Sequence, residues 1–152
     1  MKIMVSACLL GENCKYNGKN NFSQVLFDFV KNHEVIKICP EVTGGLSVPR
    51  ECAEIVGGTV RTKTGISVDA QFRKGAAEVL KIALQEKPDL IILHSRSPSC
   101  GANEIYDGTF SGAKIPGMGI CANLLKQHGF NIADSDDFIS NIQNSENQSE
   151  GF

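Results

Sequence analysis

Residues 89–95, Asp-Leu-Ile-Ile-Leu-His-Ser, carry four consecutive large aliphatic side chains. Successive side chains of a strand point to opposite faces, so a run of this kind is apolar on both. That is the mark of a parallel sheet with helices covering each side. The segment before it, 69–87, reads as the clearest helix of the chain. Asp69 can cap it, and Phe72, Ala76, Val79, Leu80, Ala83 and Leu84 share one face. Pro88 follows its end. Residues 2–8 and 34–39 read as two further strands, the second stopping at Pro40. Between them Phe22, Val25, Leu26, Phe29 and Val30 fall at helical spacing, predicting a helix over 21–32. Residues 43–52 read as a Gly/Pro loop, and 57–68 as a hairpin or irregular excursion with a turn at Thr64–Gly65. A loop of more than twenty residues, 96–117, precedes a helix over 118–129 closed by Gly129. Loops of that length inside compact domains are usually functional. A fourth strand (130–134) and a short helix (135–142) capped by Ser135 complete the pattern, and the polar stretch 143–152 is expected to be disordered. Strands alternating with helices predict an α/β fold, a compact three-layer domain over 1–142 with a mainly parallel, Rossmann-like sheet of about four strands.

At 152 residues the chain is long enough for one domain with a core of its own. A net charge of −2 gives no broad basic face, which argues against a binder of nucleic-acid duplexes. The apolar runs stop far short of the roughly 20 residues needed to span a bilayer. The start, MKIMVSACLLGEN, is cut by Gly11, Glu12 and Asn13 before it makes a signal peptide. A cytoplasmic protein is expected.

Six cysteines, Cys8, Cys14, Cys39, Cys52, Cys100 and Cys121, then need a reason. In a reducing compartment a cysteine-rich chain more often binds metal or does thiol chemistry than forms disulfides. No CxxC pair is present, so any metal site must collect thiols from distant segments. Cys8 and Cys39 end the first two strands, and Cys100 follows the third on the long loop. Ligands of such sheets bind outside the carboxyl ends of the strands, where these three thiols would meet. Pro40, Pro98 and Gly101 bend the backbone beside them and are expected to free amide donors for sulfur. Cys14 either completes a four-thiolate site or lies beside it. Cys52 and Cys121 read as core residues. Thiolates suit zinc and iron–sulfur clusters alike, so the residues leave the metal open. His33 and His128 suit helix ends, and His94 reads as a hydrogen-bonded strand-end histidine, or as one that approaches the site.

The blocks SACLLGENCKYNG (6–18), CPEVTGGLSVPR (39–50), SRSPSCG (95–101) and YDGTFSG (106–112) resemble the signature of the domain-of-unknown-function 523 family, which includes thiouracil desulfidases. The resemblance runs from about residue 2 to 134. It implies a [4Fe-4S] cluster held by three cysteines, with one open iron, and non-redox conversion of a thio-pyrimidine's thiocarbonyl to a carbonyl with release of sulfide. Carried over by motif, Cys8, Cys39 and Cys100 would be the ligands, Glu41 and Ser97 the assisting acid and serine, and Cys14 a non-ligand near the pocket. Lys15 and Asn17 stand where the family commonly has Arg and Asp, Cys52 where Pro is usual, Cys121 where Thr is usual, and GISVDAQF (65–72) departs from its usual GxDVT pattern. The ligand positions survive all of these changes.

Read for chemistry alone, Glu41 two residues from Cys39 can activate water as a general base. Ser97 can bond that base or position water. Arg50 can pair with Glu41 or grip an anionic ligand. Tyr106 and Asp107 can stack on and bond a pyrimidine, or simply make a turn at YDG. A metal-free sulfur-transfer protein using a persulfide on Cys14 or Cys100, and a non-enzymatic zinc or cluster module, stay open beside the desulfidase.

Overall fold

A computed structural model describes residues 1–150. In chain order it has β1 (Lys2–Ser6), a 3-10 turn (Ala7–Leu10), α1 (Gln24–Val30), β2 (Glu34–Ile38), α2 (Pro40–Thr43), β3 (Ala53–Val56), β4 (Thr59–Thr62), α3 (Asp69–Glu86), β5 (Leu90–Leu93), β6 (Glu104–Tyr106), β7 (Lys114–Pro116), α4 (Ile120–Gln127), β8 (Ile132–Asp134) and α5 (Ser135–Glu150). Four strands form one parallel sheet in the order β2-β1-β5-β8. β5 lies inside it and is buried along its length, as its apolar run requires.

The pairing Ile3↔Leu90, Met4↔Ile91 and Val5↔Ile92 sorts the two faces. Met4, Ile38, Ile91 and Leu93 pack under Ala76, Val79 and Ala83 of α3 and Cys121, Ala122 and Leu125 of α4. On the other side Ile3, Val5, Leu90 and Ile92 pack with Leu26 and Val30 of α1 and with Phe138 and Ile139 of α5. The result is the expected three-layer α/β arrangement. Each fully buried Ile or Leu contributes roughly 1.5–3 kcal/mol to it.

Several local expectations are corrected. α1 is shorter than 21–32 because the Ser23 side chain caps it, accepting from Leu26 N at 3.3 Å. α3 starts without a side-chain cap. Asp69 sits in its first turn, where its carboxylate accepts from Val60 N at 3.0 Å and Arg73 Nε at 2.7 Å. The hairpin spans 53–62 and turns at Gly57–Gly58, both at positive φ as a two-residue hairpin turn demands. Thr64–Gly65 makes a separate turn after it, with Gly65 N bonded to Thr62 O at 2.8 Å. The long loop contains the small β6/β7 hairpin. Asp134, not Ser135, caps α5, its Oδ2 accepting from Asp137 N at 3.1 Å, while the Ser135 hydroxyl bonds Ser95. α5 runs on through residues expected to be a disordered tail. Its side chains from Gln143 to Asn147 are exposed, so this extension rests on helical backbone bonding rather than burial. The last two residues of the expected tail, 151 and 152, lie outside the described residues. Among the described residues no helix is long and apolar enough to cross a membrane.

The four-residue α2, to which the sequence pattern assigned no element, begins with Pro40 at its first position, where a missing N–H costs nothing. It packs against α3 through two glycines. A Cβ on Gly75 would overlap the Pro40 carbonyl, and one on Gly44 would overlap the Gln71 carbonyl. In an exposed helix interior Gly→Ala stabilises by about 1 kcal/mol. Gly75→Ala is expected to reverse that sign and destabilise by roughly 1–3 kcal/mol, because backbone must move. Denaturant unfolding checks it, and a variant more stable than wild type would contradict the close packing.

Candidate metal centre and active site

A cavity of about 510 Å³ opens over the carboxyl ends of β1, β2 and β5. The chain builds its floor by breaking each strand at a cysteine. β1 ends at Ser6 and Cys8 lies in the following 3-10 turn. β2 ends at Ile38 and Cys39 becomes the N-cap of α2. Cys100 follows β5 on a turn tied by Ser97, whose hydroxyl accepts from Ser99 N and Cys100 N, each at 3.1 Å. Cys14 reaches the same wall from the loop after the 3-10 turn. All six cysteines are free thiols.

The cavity thiols act on one another. Cys8 is held below the usual thiol range by a hydrogen bond from Cys14, then by Asn21, against the pull of burial. For Cys14 the bond with Cys39 favours the thiolate, but the bond to Cys8 and burial outweigh it, pushing the thiol up to about 11. Cys39 is pushed up by its bond to Cys14 and by burial, with the Val42 N–H pulling the other way. Cys100 is pushed up to about 12 by burial, opposed by the Ser6 and Ser99 hydroxyls. Metal binding to such thiols must release their protons.

Amide donors were expected beside the flanking prolines and glycine. At Cys100 they are consumed locally, Cys100 N by Ser97 Oγ and Gly101 N by Ser97 O. At Cys8 a side chain supplies the donor instead, Asn21 Nδ2 donating to Sγ at 3.6 Å.

Glu41 stands beside the thiols in the first turn of α2. Its Oε1 accepts from Arg50 Nε at 3.2 Å and pairs with Arg50 Nη2 at 3.2 Å, and its Oε2 accepts from Ser99 Oγ at 2.8 Å. Ser97 Oγ lies 2.9 Å from Ser99 Oγ. Ser99 has one hydroxyl hydrogen and directs it to the carboxylate, so Ser97 donates to Ser99. The outcome is an ordered chain, Ser97 to Ser99 to Glu41. Arg50 also donates from Nη2 to Cys14 O at 2.9 Å and from Nη1 to Ser47 O at 3.1 Å. It therefore orients Glu41 and clamps the Cys14 loop, the first of the roles weighed for it. The pair is largely buried, with side-chain exposures of 9% and 17%.

Of the residues singled out in the sequence, Cys8, Cys14, Cys39, Cys100, Glu41, Arg50, Ser97 and Tyr106 line this cavity. Asp107 does not. Its carboxylate accepts from Thr109 N at 2.9 Å and Thr109 Oγ1 at 2.6 Å, the turn role weighed against a ligand contact. Cys52, read as core, is half-buried on the cavity wall, because the segment before β3 runs over the site. Cys121 is fully buried in the core, as expected. His94 is both hydrogen-bonded and on the wall. Ser99, Asn21, Ser6, Lys63 and Phe110 are lining residues the sequence did not flag; Ser99 inside SRSPSCG, Ser6 inside SACLLGENCKYNG and Phe110 inside YDGTFSG lay in blocks that would have found them, while Asn21 and Lys63 carried no such signal.

Among the described residues no three His, Cys, Asp or Glu side chains converge as ligands of a single metal ion. Each thiolate on a cubane cluster binds a different iron, so cluster ligands surround a volume rather than a point. Thiols from separate segments around an open cavity fit the second requirement.

Three comparisons with known proteins bear on the family. The family model described as 2-thiouracil desulfurase matches residues 3–137. The chain is 42% identical over 140 residues to the uncharacterised protein YbbK of Bacillus subtilis (strain 168), covering 86% of this chain and 93% of that one. It superposes with a TM-score of 0.83 on a solved structure described as "[4Fe-4S]-dependent thiouracil desulfidase TudS (DUF523Vcz)", at 39% identity, covering 89% of this chain and 91% of that one. With its α/β fold and thiol-lined cavity, the chain belongs to the 2-thiouracil desulfurase family.

Proposed function

We propose that this chain is a [4Fe-4S]-dependent desulfidase that hydrolyses a thio-pyrimidine to the oxo-pyrimidine and sulfide without net redox change. The observation that carries the reading is the gathering of Cys8, Cys14, Cys39 and Cys100 in one cavity beside the Arg50-held Glu41. Cys8 and Cys39, just beyond the ends of β1 and β2, and Cys100 on the Ser97-braced turn after β5, would hold the cluster and leave one iron without a protein ligand. When bound, the cluster supplies a Lewis-acidic iron with affinity for soft sulfur, which makes a thiocarbonyl carbon more open to attack.

The remaining work falls to side chains. Water adds to the carbon, a C–O bond forms, the C–S bond breaks, and both water protons leave with the sulfur. Glu41 takes the first proton as general base and returns it to the departing sulfide. Arg50 fixes the carboxylate, and Ser99 with Ser97 behind it fixes the other oxygen. Tyr106 on the wall offers a face for the pyrimidine ring. Cys14 lies beside the ligands without being one.

Anaerobic purification with iron and acid-labile sulfide analysis tests the reading, followed by a thiouracil assay in ¹⁸O-labelled water. The expected result is about four irons per chain and labelled uracil formed with no added electron donor or acceptor. Colourless protein with one zinc, or metal-free protein that takes sulfur onto a cysteine, would overturn it.

A further inference from the structure

The Cys8 sulfur, a cluster ligand on the reading proposed above, receives a side-chain hydrogen bond that is itself held in place. His94 follows the end of β5 on the cavity wall. Its Nε2 lies 3.2 Å from Asn21 Nδ2, and that same nitrogen lies 3.6 Å from Cys8 Sγ. An amide nitrogen has two hydrogens and accepts nothing. Both contacts are satisfied together only when Asn21 gives one hydrogen to the sulfur and the other to Nε2. His94 must then carry its proton on Nδ1. Flipping the amide would set its oxygen against the Cys8 thiolate, the form a ligand sulfur must take. The Asn21 backbone is itself anchored, its N–H bonded to Cys8 O at 2.9 Å.

The histidine is itself tied to β1, its backbone N–H donating to Ser6 Oγ at 3.0 Å. We propose that His94 and Asn21 are positioning residues of the metal centre, His94 Nε2 holding the Asn21 amide on the Cys8 sulfur. Donors of this kind draw charge from thiolate sulfur, which favours the reduced cluster and strengthens its retention.

Two readouts test this. In iron-free protein, ¹⁵N-histidine NMR is expected to find the His94 proton on Nδ1, and a proton on Nε2 overturns the proposal. In anaerobically loaded protein, Asn21→Leu and His94→Leu are expected to release iron to a chelator about 10-fold faster than wild type and to shift the reduction potential to more negative values. His94→Gln offers an acceptor oxygen to Asn21 and is expected to recover most of the wild-type behaviour, which also separates the effect from misfolding. Wild-type release and potential in both Leu variants, with Cys8→Ser unable to hold the cluster, overturn the proposal alone. A full iron load in Cys8→Ser overturns the ligand assignment, and the proposal with it.

Discussion

Glu41→Gln is expected to keep its iron and lose turnover by about 100- to 10,000-fold, the usual share of a general base. Glutamine is nearly isosteric and still offers Oε1 as an acceptor, so the Ser99 and Arg50 contacts can persist in part. What it cannot do is take a proton from water. The loss should therefore appear in kcat, with iron content unchanged. Removing the charge also leaves Arg50 without its largely buried counter-charge, and such an unpaired ion costs roughly 3–5 kcal/mol. A lower unfolding temperature should accompany the kinetic defect. Arg50→Lys separates the two effects. It keeps a positive charge beside Glu41 but loses the fork that also holds Cys14 O and Ser47 O, so its turnover should fall less than that of Glu41→Gln. Unchanged kcat in Glu41→Gln would end the assignment of Glu41 as base.

The sheet was legible because its signal is local and dense. Leu90 to Leu93 can be buried on both faces only by helices above and below, and the helix face from Phe72 to Ala83 supplies one of those layers. The strand-end rule then located Cys8, Cys39 and Cys100. α2 was not legible, since four residues hold barely one helical turn and no period. Its seat on α3 depends on Gly75, thirty-five positions away from Pro40, and a glycine in one sequence does not say what approaches it. The hydrogen-bonded shell was hidden for the same reason. Ser99 meets Glu41 across 58 positions, Asn21 meets His94 across 73, and His94 meets Ser6 across 88. Those partners come together because β2, β1 and β5 stand side by side in the sheet, so the segments beyond their carboxyl ends meet. Asp107 misled in the other direction. Its position in a Tyr-Asp-Gly block suits a ligand contact and a turn equally, and its bonds with Thr109 are those of the turn.

Serine in place of Cys8, Cys39 or Cys100 is expected to abolish iron loading, whereas Cys14→Ser is expected to keep about four irons per chain. The contrast matters because the free thiols alone do not distinguish the four. Cys14 bonds to both Cys8 and Cys39, so proximity would qualify it as a ligand. Backbone placement separates them. Cys8 and Cys39 lie within two residues of strand ends, and Cys100 sits on the turn braced by Ser97, so each is held by the sheet or by a closed hydrogen-bond ring. Cys14 belongs to the connection before α1, eight residues beyond the end of β1, and is tied there through its carbonyl to Arg50. Four protein thiolates would also saturate the cluster and leave no iron for a substrate sulfur. Iron and sulfide analysis of the four variants, prepared anaerobically, decides the matter. Retention of turnover in Cys14→Ser with full iron would fix the three-thiolate assignment, and loss of iron in Cys14→Ser would remove the open position on which the desulfidase reading depends.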